Sequence, residues 1–259
     1  MTYDRVDYIN RASPIETELK KLFNTRSSIT IFEIGSCEGE DSIKYARLFP
    51  NSKIYTFEPL PKNIERIKQN FLKYNISNAE IWNLAVSTDE GTAEFFVSEG
   101  KPENVDEVDW DFGNKSSSLL PPDQHIKQIS FIKFNEKILV KTISLDQFCR
   151  QQEVNLIDFI HMDVQGAELL VLKGAGKFLE KIKVIWLEVA KIALYKDQPL
   201  IGDVEQFMYD NGFYLAKSEV DNNAGDQLYI SKKFYKDFEK ILKESKPSIW
   251  RRMLNKFLS

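Results

Sequence analysis

Cysteine is scarce in this chain. Cys37 and Cys149 are the only two in 259 residues, too few and too far apart for a disulfide framework, so a reducing compartment is the simpler setting. Long apolar runs are missing too: none approaches the ~20 residues needed to cross a bilayer. The opening Met1-Thr-Tyr-Asp-Arg5 is polar and carries no apolar leader, so the expectation is a cytoplasmic protein. Positive charge is not in excess. A net charge of −4 argues against holding nucleic acid by bulk electrostatics. There is no internal repeat and no low-complexity tract. What is present is ordinary for a folded protein: 42% hydrophobic residues over a length that suits one large α/β domain with a full core.

One further absence is informative because of where it falls. Residues 29–35 are β-branched and aromatic and end at Gly35; Ser36-Cys-Glu-Gly39 turns the chain; Ile43, Ala46 and Phe49 recur at helical spacing before Pro50. A second apolar run, Lys53-Ile-Tyr-Thr-Phe, ends on Glu58. Strand, glycine turn, helix, strand and acid are the opening of a nucleotide-binding βαβ unit. The third glycine of G-x-G-x-x-G is lacking. That glycine allows close helix–strand packing under a pyrophosphate, so a nucleoside without phosphates suits this turn better, and S-adenosylmethionine is such a ligand. Bare glycine backbone would let it approach, and Glu58 would accept hydrogen bonds from its ribose hydroxyls.

Around this unit the chain divides into a helical extension (1–26), a main domain (27–233) and a basic helical tail (234–259). In the extension, Ser13-Pro14 opens a helix with Ile15, Leu19, Leu22 and Phe23 on one face. Pro61 begins another helix; residues 79–86 read as one strand and 93–97 as a short one. Residues 98–127 break the pattern with turn formers and acids, and an irregular loop of that length is either a binding lid or a solvated excursion. Residues 138–143 are strand-like, and Ser144 with Gln147 makes a capping box stapled by Ile143 and Phe148. Strands follow at 156–163 and 184–189, with one helix from Ala167 to about Ile182 between them. Asp203 caps a last helix, and strands at 213–216 and 227–231 close the domain. In the tail, Trp250, Leu254 and Phe257 share a face beside Arg251, Arg252 and Lys256, so 246–259 either lies on a membrane surface or packs against protein.

Five stretches together resemble the FkbM-type methyltransferases, a branch of the class I S-adenosylmethionine-dependent enzymes: Phe32–Gly39, Tyr55–Pro61 with Asn70, Asn83–Ser87 with Gly91, Ser116–Leu119, and Asp163-Val-Gln-Gly-Ala-Glu168 with Leu172-Lys-Gly174. The resemblance spans roughly 29–233. It implies a Rossmann-like α/β fold, a seven-stranded, mostly parallel sheet with helices on both faces and a reversed strand near the C-terminus. It also implies O-methylation of a sugar hydroxyl in a glycan, glycolipid or natural product. The cofactor residues it points to are Glu33, Gly35, Ser36, Gly39, Ser42, Glu58, Pro59, Asn83 and Ala85. The chain departs from the pattern at Glu33 (usually Asp), Ser36-Cys37 (usually Ala-Asn), His161 (frequently Lys) and Gln165 (commonly Glu).

A sugar hydroxyl is a weak nucleophile, so a base or a metal must take or weaken its proton. Asp163 closes an apolar strand at the ligand edge, His161 points to the same face two residues earlier, and Glu188 ends the next strand. Asp163 and Glu188 are also the candidate oxygen ligands for Mg²⁺ or Mn²⁺, although two carboxylates alone do not define a metal site. Glu168 sits at a helix start, where a carboxylate is favoured for structural reasons. Trp110, Phe112, Ser116, Ser117 and Ser118 are the expected acceptor-side residues, rings for a sugar face and hydroxyls for its edge. Two other classes stay open: a noncatalytic cofactor-binding module and a nicotinamide-dependent oxidoreductase.

Overall fold

The computed structural model describes residues 4–103, 105 and 109–234; the basic tail at 246–259 lies outside the described residues. Asp4 caps α1 (Arg5–Asn10), its carboxylate accepting from Val6 N at 2.8 Å. After α2 (Glu16–Leu22) come β1 (Thr30–Ile34), α3 (Glu40–Leu48), β2 (Lys53–Phe57), α4 (Pro61–Lys73), β3 (Ala79–Trp82), β4 (Ala85–Ser87) and β5 (Gly91–Glu99). The chain continues through α5 (His125–Gln128), β6 (Lys133–Ser144), α6 (Leu145–Gln151), β7 (Ile157–Met162), α7 (Glu168–Gly174), β8 (Ile182–Ala190), α8 (Ile201–Asp210), β9 (Phe213–Val220) and β10 (Ala224–Ser231).

Seven strands form the main sheet in the order β3-β2-β1-β7-β8-β10-β9, and β10 runs antiparallel to both its neighbours. Side chains alternate between faces, as the pleat requires. Phe32, Ile34, Ile160, Met162, Ile185 and Leu187 pack with α6, α7 and α8 on one side. Ile31, Ile54, Phe159, Val184 and Trp186 pack with α2 and α3 on the other, where Ile15, Leu19, Leu22 and Phe23 of the extension are buried. The amphipathic face read at α2 is thus a wall of the core.

Five details depart from the sequence reading. Residues 79–86 are two strands in two sheets. Asn83 Nδ2 donates to the carbonyls of Glu58 and Pro59 at 3.0 and 2.9 Å, the chain turns there, and β4 leaves to join a second sheet, β4-β6-β5. The helix expected over 167–182 stops at Gly174 and continues as a 3₁₀ turn, Gly176–Lys181, where Gly176 takes φ +48°. Asp203 is the third residue of α8 rather than its cap, and its carboxylate reaches back to Leu200 N at 2.8 Å. Ser144 does cap α6, at 3.3 Å to Gln147 N, but the Gln147 side chain turns to Glu90 instead of completing the box. Residues 98–127 are also more ordered than an irregular loop: β5 extends to Glu99, Gly113–Ser116 is a 3₁₀ turn, and Ser118 bridges to Phe96.

Candidate active site

The carboxyl ends of β1, β2 and β7 open into one cavity. It is built from turns that the sequence dictates closely. Gly35 holds φ +84°, and a Cβ there would stand 1.8 Å from the Asp163 carbonyl. The residue is therefore glycine because the turn after β7 lies against it, not only to admit a ligand. Gly39 caps α3 at φ +81°, and its missing side chain makes room for Ile67 and Phe71 of α4. Between them Cys37 takes φ +50°, and its amide is caught at 2.9 Å by Glu58 Oε2 while Glu58 Oε1 accepts from Leu60 N at 2.8 Å. Burial pushes the Glu58 carboxyl up to about 8 against the pull of those two amides.

Of the expected cofactor residues, Glu33, Gly35, Ser36, Glu58, Pro59 and Ala85 line the cavity, and Gly39, Ser42 and Asn83 do not. Ser42 Oγ donates to Glu33 and lies 2.7 Å from Thr56 Oγ1, so it orients Glu33 from beneath. Asn83 fixes the chain after β2. Burial, with Asp41 and Glu40 adding repulsion, raises the Glu33 carboxyl well above the usual range. Two buried polar atoms at the cavity wall, Ser36 Oγ and His161 Nδ1, have no hydrogen-bond partner among the described residues.

On the expected catalytic side, Asp163 and His161 line the cavity and Glu188 stands behind Gln165. Asp163 opens to the cavity, yet the walls around it raise its carboxyl, with the Gln165 amide and His161 opposing. Burial lowers the His161 imidazole despite Asp41 and Asp163 beside it. The metal expectation changes in detail. Among the described residues, the set whose ligand atoms converge within 4.8 Å is Glu33, Asp41 and His161. Between Asp163 and Glu188 lies the Gln165 amide instead. Glu168 is structural: its Oε1 accepts from Val164 N and Gly166 N, both at 3.2 Å, and closes the turn after β7.

Of the expected acceptor residues, Trp110 and Ser117 border the cavity, while Phe112, Ser116 and Ser118 are not among its lining. Ser116 ends the 3₁₀ turn and the backbone becomes extended at Ser117, so Ser117 and Leu119 line the cavity while Ser116 and Ser118 do not. The Ser116 carbonyl accepts from the Tyr195 hydroxyl at 2.7 Å, and Ser118 Oγ donates to the Gln165 carbonyl at 2.7 Å.

The sequence reading missed the contribution of α1. Tyr8 lines the cavity, donates to Asp41 Oδ2 at 2.8 Å and packs on Trp110 with ring centroids 5.2 Å apart. Asp41 is thereby held below the usual carboxylate range: burial works against its charge, but His161, Lys44 and the Tyr8 hydroxyl outweigh it. Arg5 is fully buried and pairs with Glu38, with Glu40 at 2.5 Å and with Asp109 at 3.4 Å. Nothing in the spacing of residues 4–10 signals this. Asn114, by contrast, sits in the stretch 98–127 already suspected of binding; its Nδ2 donates to Glu38 and Asn63, both at 3.1 Å.

The strand order, the reversed β10 and the cavity at the strand ends define a class I S-adenosylmethionine-dependent methyltransferase fold. Residues 33–215 match the Methyltransferase FkbM domain, and the chain belongs to that family. It is similar to the 2-O-methyltransferase NoeI of Sinorhizobium fredii (strain NBRC 101917 / NGR234), 31% identical over 168 residues, 65% of this chain and 66% of that protein. The match thus spans just under two thirds of that relative's length. It is also similar to Methyltransferase 1 of Beauveria bassiana (strain ARSEF 2860), 22% identical over 185 residues, 67% of this chain and 73% of that protein. Among solved structures, precorrin-6y C5,15-methyltransferase from Geobacter metallireducens GS-15 overlays with a TM-score of 0.45 at 13% identity, covering 88% of this chain and 87% of that one. Among the described residues no helix is long and apolar enough to cross a membrane.

Proposed function

We propose that the protein transfers a methyl group from S-adenosylmethionine to a sugar hydroxyl of a glycan, glycolipid or natural product. The observation that carries this reading is the placement of Asp163, at the end of β7, in the same cavity as Glu58 and the Gly35 turn. The residues present fit the cofactor. Glu58 serves two backbone amides and the Asn63 side chain and keeps acceptor capacity for a ribose hydroxyl. Leu60, Leu84, Ala85 and Phe95 offer a nucleobase an apolar wall. Glu33, Asp41 and His161 converge where an ammonium group needs acceptors, and Ser36 Oγ awaits a partner. When bound, the cofactor's sulfonium supplies an activated methyl group.

The chain's own task is then to place and deprotonate the acceptor oxygen. Asp163 is open to the cavity, and its raised carboxyl makes it a stronger base than a carboxylate in water. Trp110, Tyr8 and Ser117 form the acceptor side, rings for an apolar sugar face and a hydroxyl for its edge. The similarity to a 2-O-methyltransferase supports a hydroxyl as the acceptor group. The test is transfer of tritium from labelled cofactor to a panel of mono- and oligosaccharides, with amine and carboxylate acceptors alongside. Label on a sugar oxygen is expected; label only on nitrogen or carboxylate acceptors would remove the hydroxyl reading.

A further inference from the structure

Gln165 occupies an unusual position for a neutral residue. It takes φ +52° in the turn after β7, a backbone state that most side chains avoid. Its amide nitrogen donates to Asp163 Oδ1 at 2.7 Å and to Glu188 Oε2 at 3.1 Å. Its amide oxygen lies 3.0 Å from the Tyr195 hydroxyl, and its own carbonyl accepts from Ser118 Oγ at 2.7 Å. The residue is thus anchored from β8, from Tyr195 and from the 116–119 segment at once. Two carboxylates that face each other across a short gap repel, and one of them is normally forced to protonate. A donor placed between them relieves this, as a cation would.

We propose that Gln165 is a positioning residue for methyl transfer: its amide nitrogen bridges Asp163 and Glu188 in the place a bound cation would otherwise take, and so holds the Asp163 carboxyl group aimed at the acceptor. The proposal rests on the reading of Asp163 as the acceptor-side carboxylate. The surroundings agree with this division of labour. Glu188 is raised well above the usual range, by burial first and then by Asp163, Glu168 and Asp226. Asp163 is raised by burial and by Asp41 but pulled back by Gln165, His161 and Lys115. The two acids draw the amide nitrogen toward themselves and leave the amide oxygen on the Tyr195 side.

The test needs no acceptor substrate. Asp163 is followed by the ¹³Cγ shift of its carboxyl through a pH titration, assigned by its loss in Asp163→Asn. In Gln165→Glu, which keeps the side-chain shape and removes the donor, the Asp163 midpoint should rise by about one pH unit or more. The same variant should bind Mn²⁺ at least tenfold more tightly than the wild type by electron paramagnetic resonance, and lose that binding when Asp163→Asn is added. Gln165→Leu should raise the midpoint without creating the Mn²⁺ site. An Asp163 midpoint unchanged within 0.3 units in both Gln165 variants, with ~0.3 taken as the resolution of such a titration, would overturn the proposal. Equal Mn²⁺ affinity in wild type and Gln165→Glu would do the same. If instead Asp163→Asn keeps full turnover, the base reading fails separately, because the titration reports on Gln165 whatever Asp163 does in catalysis.

Discussion

The turns after β1 and β7 are built on the same plan and end in different uses. Each follows a parallel strand, each places a non-glycine residue in the left-handed region (Cys37 at φ +50°, Gln165 at φ +52°), and each is held by a buried carboxylate that accepts backbone amides. In the first, Glu58 comes from the neighbouring strand and borders the cavity. In the second, Glu168 comes from the helix that follows and is turned away from it. A carboxylate at the right spacing from a glycine turn is therefore a structural clasp by default. Only the one that also faces the cavity is placed to serve as a ligand group.

Four comparisons sharpen or break this contrast, taken from the largest expected effect. Asp163→Asn keeps size and removes charge at the mouth of the second turn; turnover should fall by roughly 10²–10⁴-fold while cofactor affinity stays nearly constant. Full methyl transfer by this variant would mean the base lies elsewhere, with His161 the next candidate. Gly35→Ala tests the contact between the turns, since its Cβ would overlap the Asp163 carbonyl. A loss of about 3 kcal/mol or more in urea unfolding is expected, against ~1 kcal/mol for Gly39→Ala, whose neighbours are side chains able to shift. Equal losses at the two positions would show that the turns are not pressed together as described.

The clasps themselves come next. Glu58→Ala should weaken S-adenosylhomocysteine binding by about 2–4 kcal/mol in calorimetry. Glu168→Ala should leave that affinity alone and cost ~1–3 kcal/mol of stability, because Val164 N and Gly166 N lose their acceptor. The contrast disappears if both variants lose affinity alike. The smallest effect is on pH dependence. Glu58 at about 8, and Glu168 and Asp226 at about 7, bind their protons more tightly folded than unfolded. Their contribution to stability is full below the unfolded carboxylate range and is lost as pH rises through 7–8. The melting temperature should therefore fall by a few degrees, roughly 2–5 °C, between pH 5 and pH 8.5, and less so in a Glu58→Gln, Glu168→Gln double variant. A flat profile in the wild type would show that these groups titrate alike in both states.

The first turn and its acid were legible because they are local: strand, glycine, helix, strand and Glu58 fall within one βαβ unit, and periodicity reads such units well. The Asp163 turn was legible as a motif, and Glu168 was weighed correctly as structural from its place at a helix start. What escaped was everything that depends on distant parts of the chain. The second sheet takes β4 from what looks like one strand, and only the Asn83 contacts to the β2–α4 link explain the break. Tyr8 reaches the cavity, and Arg5 its flanking acids, from a helix of six residues with no motif. The serines at 116–118 look alike by type, but the change from 3₁₀ turn to extended backbone between Ser116 and Ser117 brings Ser117 alone of the three to the cavity.

The sheet order also has a consequence in time. In the main sheet β9 pairs with β10 alone, and β10 sits between β8 and β9 although it follows both in sequence. During synthesis β9 therefore has no strand to join, and β8 keeps an open edge, until residues 224–231 have emerged. Glu188 meets its cross-strand neighbour Asp226 only at that moment. The acidic cluster behind the cavity is finished by the last described strand of the sheet to be made, and until then the nascent chain carries an exposed edge of the kind that pairs with other molecules.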